Sequence, residues 1–154
     1  MSKIKVQQPI IHTPGFPRYK CTREAFVDFL VDLEITPFPT GFKLFDFYYY
    51  TTSEAWGRIL WDLVFKSNLY KATFKCADYA LKAQTECAQR YELNSLRMVF
   101  DQRSDFKGHA YCLFPFGDAL GIEGTMLFEP NEGFPWGGIL TIGENDYIPE
   151  KILI

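Results

Sequence analysis

From Cys76 to Tyr91 the chain reads Cys-Ala-Asp-Tyr-Ala-Leu-Lys-Ala-Gln-Thr-Glu-Cys-Ala-Gln-Arg-Tyr, and no other stretch limits the possible folds so tightly. Alanine is the best helix former, and neither glycine nor proline interrupts the run. On a helix, Cys76, Ala80, Ala83 and Cys87 share one face, because residues three and four apart are neighbours. So narrow a stripe of small side chains lets a helix lie close to a sheet. The second half of the sequence offers one.

Leu96–Phe100, Gly108–Phe114, Thr125–Glu129 and Gly138–Ile142 are short strand-like runs separated by Gly, Asp, Asn and Pro, and Lys151–Ile154 adds a last one. Two further helices are expected upstream. Thr22 can cap the first, with Phe26, Phe29, Leu30 and Leu33 at helical spacing, and Pro37-Phe38-Pro39 ends it. Thr52 or Ser53 can cap the second, whose apolar face is Trp56, Ile59, Leu60 and Leu63. Between them Phe42–Thr51 is aromatic and free of breakers, hence a strand or extended segment, and Asn68–Lys75 reads as a linker. Helices first and consecutive strands afterwards predict an α+β fold with an antiparallel sheet. Pro9, Pro14, Gly15 and Pro17 mark residues 1–20 as an irregular arm. Residues 21–154 are expected to form one domain.

The chain's 154 residues suit a single core, and 47% hydrophobic with 18% aromatic residues fill one amply. The 16 basic and 19 acidic residues are spread along the sequence with no basic stripe, which argues against nucleic-acid binding. No apolar run approaches the roughly 20 residues a membrane helix needs, so no membrane association is expected. The N-terminal segment has no apolar run behind its lysines and does not read as a secretory leader. A cytoplasmic location is therefore expected, with association with a virus particle left open.

The four cysteines form no C-x-x-C pair, and His12 and His109 stand at poor spacing for zinc, so no metal is expected. Cys21, Cys87 and Cys112 read as small buried hydrophobes. Cys76 is different, because it opens a helix. Unpaired N–H groups and the helix dipole there favour thiolate over thiol, and the backbone N–H of Cys76 can hold an oxyanion. Asn68, Tyr70 and Thr73 are all available as a second oxyanion donor. His109 opens a strand and is the matching base. Alternation puts Tyr111 on its face and Cys112 on the other. Glu129, or alternatively the amide of Asn131, can accept from the far ring nitrogen, with Glu129 preferred.

Phe74-Lys75-Cys76-Ala77-Asp78-Tyr79-Ala80-Leu81, Gly108-His109-Ala110-Tyr111 and Leu127-Phe128-Glu129-Pro130-Asn131 resemble, in that order, the three motifs of the papain-like cysteine hydrolases. The likeness is to the transglutaminase-like branch and its small bacterial and phage relatives. Phe47-Tyr-Tyr-Tyr, Glu54-Ala-Trp56 and the ending from Tyr147 resemble those small relatives too, so coverage runs from about residue 45 to the end. Lys75 and Ala77 stand where the family carries acids, and Glu129 where it mostly carries Asp. The resemblance implies a papain-like fold, a Cys76–His109–Glu129 triad, no cofactor, and an amide or peptide substrate that is hydrolysed or passed to an amine. Asp78 is expected to anchor the helix start. The alternative on the same fold is a binding module with an idle triad, favoured by the high aromatic content.

Overall fold

The computed structural model describes residues 15–39, 43–101, 108–134 and 138–154. Eight strands and three α-helices are present among them: β1 (Tyr19–Thr22), α1 (Arg23–Val31), β2 (Thr36–Pro37), β3 (Phe47–Tyr50), α2 (Ser53–Ile59), α3 (Cys76–Tyr91), β4 (Arg97–Asp101), β5 (His109–Asp118), β6 (Gly121–Glu129), β7 (Gly138–Leu140) and β8 (Lys151–Ile152). The class is α+β. A six-stranded sheet runs in the order β2-β8-β4-β5-β6-β7, and β1 pairs with β3 in a small second sheet.

The expected antiparallel sheet needs one correction. β4 through β7 and the β4–β8 pair are antiparallel, but β2 joins β8 in parallel, so the sheet is mixed. The order of helices first and strands after also fails. Tyr19 and Lys20, read as part of the arm, already lie in β1, opposite Tyr50 and Tyr49. The rest of the predicted arm as far as Pro14, with His12, falls outside the described residues, as does Phe42 of the predicted aromatic strand.

The helices start where the sequence places them. Thr22 accepts from the N–H of Ala25 and Thr52 from that of Ala55, each satisfying one donor that a first turn leaves unpaired. Phe26 and Leu30 of α1 are buried, while Leu33 lies beyond the helix and is exposed. The second predicted helix continues from α2 as a 3-10 turn, Leu60–Leu63, and another turn, Ser67–Leu69, sits at the start of the predicted linker. Trp56, Ile59, Leu60 and Leu63 are all buried as expected.

The large sheet is covered on both faces. On one side α3 lays Ala80, Ala83 and Cys87 against Ala110, Cys112 and Phe114 of β5 and Phe128 of β6, together with Trp56 and Leu60. The Trp56 indole Nε1 donates to the carbonyl of Pro115 at 2.7 Å, which fixes α2 on β5. On the other side Phe26, Leu30 and Tyr48 pack on Val99, Tyr111, Leu113 and Leu127. Alternation along β5 thus sends Tyr111 and Cys112 to opposite faces.

Candidate active site

α3 begins at Cys76. The Asp78 carboxylate reaches back and accepts from the Lys75 N–H at 2.8 Å, so Asp78 anchors the helix start as expected. Lys75 cannot return an acceptor, and its ammonium lies over the Tyr70 ring at 4.7 Å. Cys76 is half-buried at the edge of the core under α3.

His109 is the first residue of β5, where Asp101 of β4 opposes it. Its Nε2 lies 2.7 Å from Oε2 of Glu129, the last residue of β6. The strand register explains the meeting: Cys112 faces Phe128, so the start of β5 and the end of β6 lie side by side. Glu129 is only 1% exposed, and its carboxylate is fully engaged. Oε1 accepts from the Asn131 N–H at 3.1 Å, and Oε2 also accepts from the Tyr147 hydroxyl at 3.0 Å.

Asn131, the alternative third member, is not the group that orients His109. Its side-chain oxygen accepts from the Gly133 N–H at 2.9 Å, a turn bond, while the ring's Nε2 is held by Glu129. Asn131 instead serves through its backbone. The turn it occupies is held to the segment before α3: the Phe65 N–H donates to the Pro130 carbonyl at 2.7 Å, and the Glu132 N–H donates to the Phe65 carbonyl at 3.0 Å. The Tyr79 hydroxyl of α3 donates to the carbonyl of Lys66 at 2.6 Å. Helix, connecting segment and acid-bearing turn are therefore tied together, which sets Cys76 relative to Glu129.

The Cys76 sulfur and the His109 imidazole lie close enough to perturb one another's acidity. Because Nε2 is taken by Glu129, Nδ1 is the nitrogen left to the sulfur. The hydrogen bond to His109 holds the Cys76 thiol below its usual pKa; burial opposes this, and the N–H groups of Ala110 and Ala77 reinforce it. Burial alone would pull His109 down, yet the bonds to Cys76 and Glu129 outweigh it and raise the imidazole to about 9. The two shifts run in the directions of a thiolate–imidazolium pair.

The other thiols behave oppositely. Burial pushes Cys21 up to about 11 and moves Cys87 and Cys112 up as well. Cys112 donates to the Ala80 carbonyl beneath α3.

Three rings enclose the imidazole: Phe134 at 5.0 Å, Tyr111 at 5.5 Å and Tyr147 at 5.6 Å between centroids. Alternation placed Tyr111 correctly. No spacing or composition signal indicates that Tyr147 bonds Glu129 or that Phe134 packs on the ring. The Ala110 N–H against the sulfur was missed too. Asn68, Tyr70 and Thr73 are exposed, and no hydrogen bond joins any of them to Cys76 among the described residues. Those residues also contain no cluster of three or more His, Cys, Asp or Glu able to hold a metal, and no helix long and apolar enough to cross a membrane. Comparison with family models, with curated proteins and with solved structures finds no match for this chain.

Proposed function

We propose that the chain is a thiol-dependent hydrolase or acyltransferase of papain-like, transglutaminase-like type, acting on an amide or peptide bond through Cys76, His109 and Glu129. One observation carries the reading: a single imidazole is held at 2.7 Å by a buried carboxylate and acts on a half-buried thiol at the start of α3, whose pKa it lowers. That is the order of nucleophile, base and orienting acid that covalent acyl transfer requires.

In this reading the Cys76 thiolate attacks the carbonyl carbon. The oxyanion that forms is met by N–H groups at the start of α3, with that of Cys76 first among them. The imidazolium of His109 gives its Nδ1 proton to the leaving amine, and a thioester on Cys76 results. Water or an amine then attacks the thioester, with His109 taking a proton from the attacking group, and the thiolate is released. Glu129 holds the ring in one orientation and stabilises its charged form, while Tyr147 and the Asn131 N–H hold Glu129.

The test is alkylation by iodoacetamide in mildly acidic buffer, with the adducts mapped by peptide mass spectrometry. Cys76 is expected to react at least about tenfold faster than Cys21, Cys87 or Cys112, as its lowered pKa and half-exposed position require. A Cys76 rate no higher than the others sinks the proposal.

A further inference from the structure

A groove of about 420 Å³, within the roughly 300–1,000 Å³ typical of small-ligand clefts, is lined by residues of α2, the turn after it, β6, β7 and the turn that follows Glu129. Gly57, Leu60, Trp61 and Val64 form one bank, and Phe128 and Ile139 form the other. Phe134 also lines it, and its ring is the same one that packs on His109 at 5.0 Å. Phe134 therefore links the groove to the surroundings of the imidazole. Glu132 is the charged group in the lining, and its carboxylate is engaged elsewhere: Oε1 accepts from the Ser67 N–H at 3.3 Å, and Oε2 pairs with Lys66 at 3.7 Å.

Gly57 is the second clue. Glycine inside a helix costs about 0.5–1 kcal/mol relative to alanine, so its presence in α2 calls for a reason. Backbone strain does not supply one, since Gly57 is absent from the positions with positive φ among the described residues. Close packing does not either, because a Cβ at Gly57 would have nothing within 4 Å. What the missing side chain does provide is width. Trp61, one turn further on, is 81% exposed at the same bank, a large apolar surface left open.

We infer that this groove is the specificity subsite of the candidate enzyme, and that it takes a bulky apolar side chain, aromatic or branched aliphatic, carried by a peptide-like substrate next to the bond that Cys76 attacks. The inference rests on the reading of Cys76 and His109 as nucleophile and base. An acidic side chain would meet the Glu132 carboxylate and bury its own charge against Val64, Ile139 and Phe134. A basic one would find that carboxylate already occupied by Lys66.

The test uses capped aminoacyl and dipeptidyl chloromethyl ketones that differ only in one side chain: benzyl, isobutyl, methyl or carboxymethyl. Their rates of Cys76 alkylation are compared within each protein, and iodoacetamide, which has no side chain to seat, is run on the wild type. In the wild type the benzyl or isobutyl reagent is expected to label Cys76 at least about tenfold faster than the methyl and carboxymethyl reagents. Gly57→Leu fills the groove and should bring that ratio to within about twofold, and Gly57→Ala should give an intermediate ratio. Equal rates across the wild-type series, or a preference that survives undiminished in both variants, overturns the subsite while selective iodoacetamide labelling leaves the triad reading intact. Loss of iodoacetamide selectivity for Cys76 brings down the triad reading and the subsite with it.

Discussion

Replacing Glu129 with glutamine tests the electrostatics of the site at nearly constant shape. The carboxylate is 1% exposed and accepts three hydrogen bonds, from His109, Tyr147 and the Asn131 N–H. In Glu129→Gln the amide oxygen can still accept from Asn131. The amide nitrogen then faces His109 Nε2 and can only donate, so the hydrogen bond survives only with the neutral ring, whose Nε2 accepts, and the charged form loses its partner. A hydrogen bond to a charged group is worth about 1.5–3 kcal/mol, and one pKa unit about 1.4 kcal/mol. The imidazole should therefore fall by about one to two units from its raised position near 9. The Cys76 thiolate loses the cation facing it, so the acid limb of its alkylation profile should move up by about one to two pH units. The assay is the iodoacetamide rate at Cys76 followed from acid to alkaline pH, with thermal unfolding as a check that the variant is folded. A folded Glu129→Gln protein whose limb coincides with that of the wild type refutes the coupling of Glu129 to the thiol through His109.

Three further outcomes are expected. Tyr147→Phe removes a hydroxyl donor from Glu129 but leaves the charge, so urea unfolding should show a loss of about 1.5–3 kcal/mol while the alkylation limb does not move to higher pH; a shift as large as that of Glu129→Gln contradicts this division. Ala83→Leu forces extra volume between α3 and the sheet, where Ala83 is fully buried, and should cost about 1–3 kcal/mol in the same measurement; a neutral result means the helix does not lie close. For pH, the raised pKa of His109 favours the folded state completely below its ordinary value of 6.5, and the contribution is lost as pH climbs through about 9. The stability gap between wild type and His109→Gln should thus shrink from slightly acid to strongly alkaline buffer, and a gap that widens has the wrong sign.

Local chemistry made α3 legible to the residue. Its alanines, the Asp78 anchor and the lack of breakers all lie within the element itself. β5 and β6 were read too short because Pro115, Gly117 and Gly124 look like stops. In the fold Pro115 pairs with Thr125 inside the ladder, and the register shifts between Phe116 and Gly117. Gly117 is needed because a Cβ there would come within 2.1 Å of the Gly121 carbonyl oxygen, and Gly124 leaves room for the Phe116 ring. Those residues shape the hairpin rather than end it, a distinction set by the opposite strand. β2 and β8 are two residues each and owe their pairing to chain more than a hundred positions away, which no local pattern encodes.

The candidate triad is legible because each member sits at the end of an element, and of the two acceptors considered it is Glu129 that lies 2.7 Å from the His109 ring, while the Asn131 side-chain oxygen accepts from Gly133. Tyr147 was hidden for a different reason. It reaches Glu129 by way of the turn around Gly143, whose N–H donates to the Tyr147 carbonyl at 2.8 Å and whose φ is +91°. Its approach is a property of that turn, and no spacing rule points to it.

His109 and Glu129 lie on one hairpin, whereas the Cys76 thiol arrives on a separate helix held by Tyr79 and the 65–67 segment. A nascent or partly unfolded chain therefore carries four sulfhydryls of ordinary acidity, and none is singled out for attack on its neighbours. Docking of the helix separates them: burial raises Cys21, Cys87 and Cys112 while Cys76 is lowered, so the folded molecule presents one distinctive thiol where the unfolded chain presents four alike.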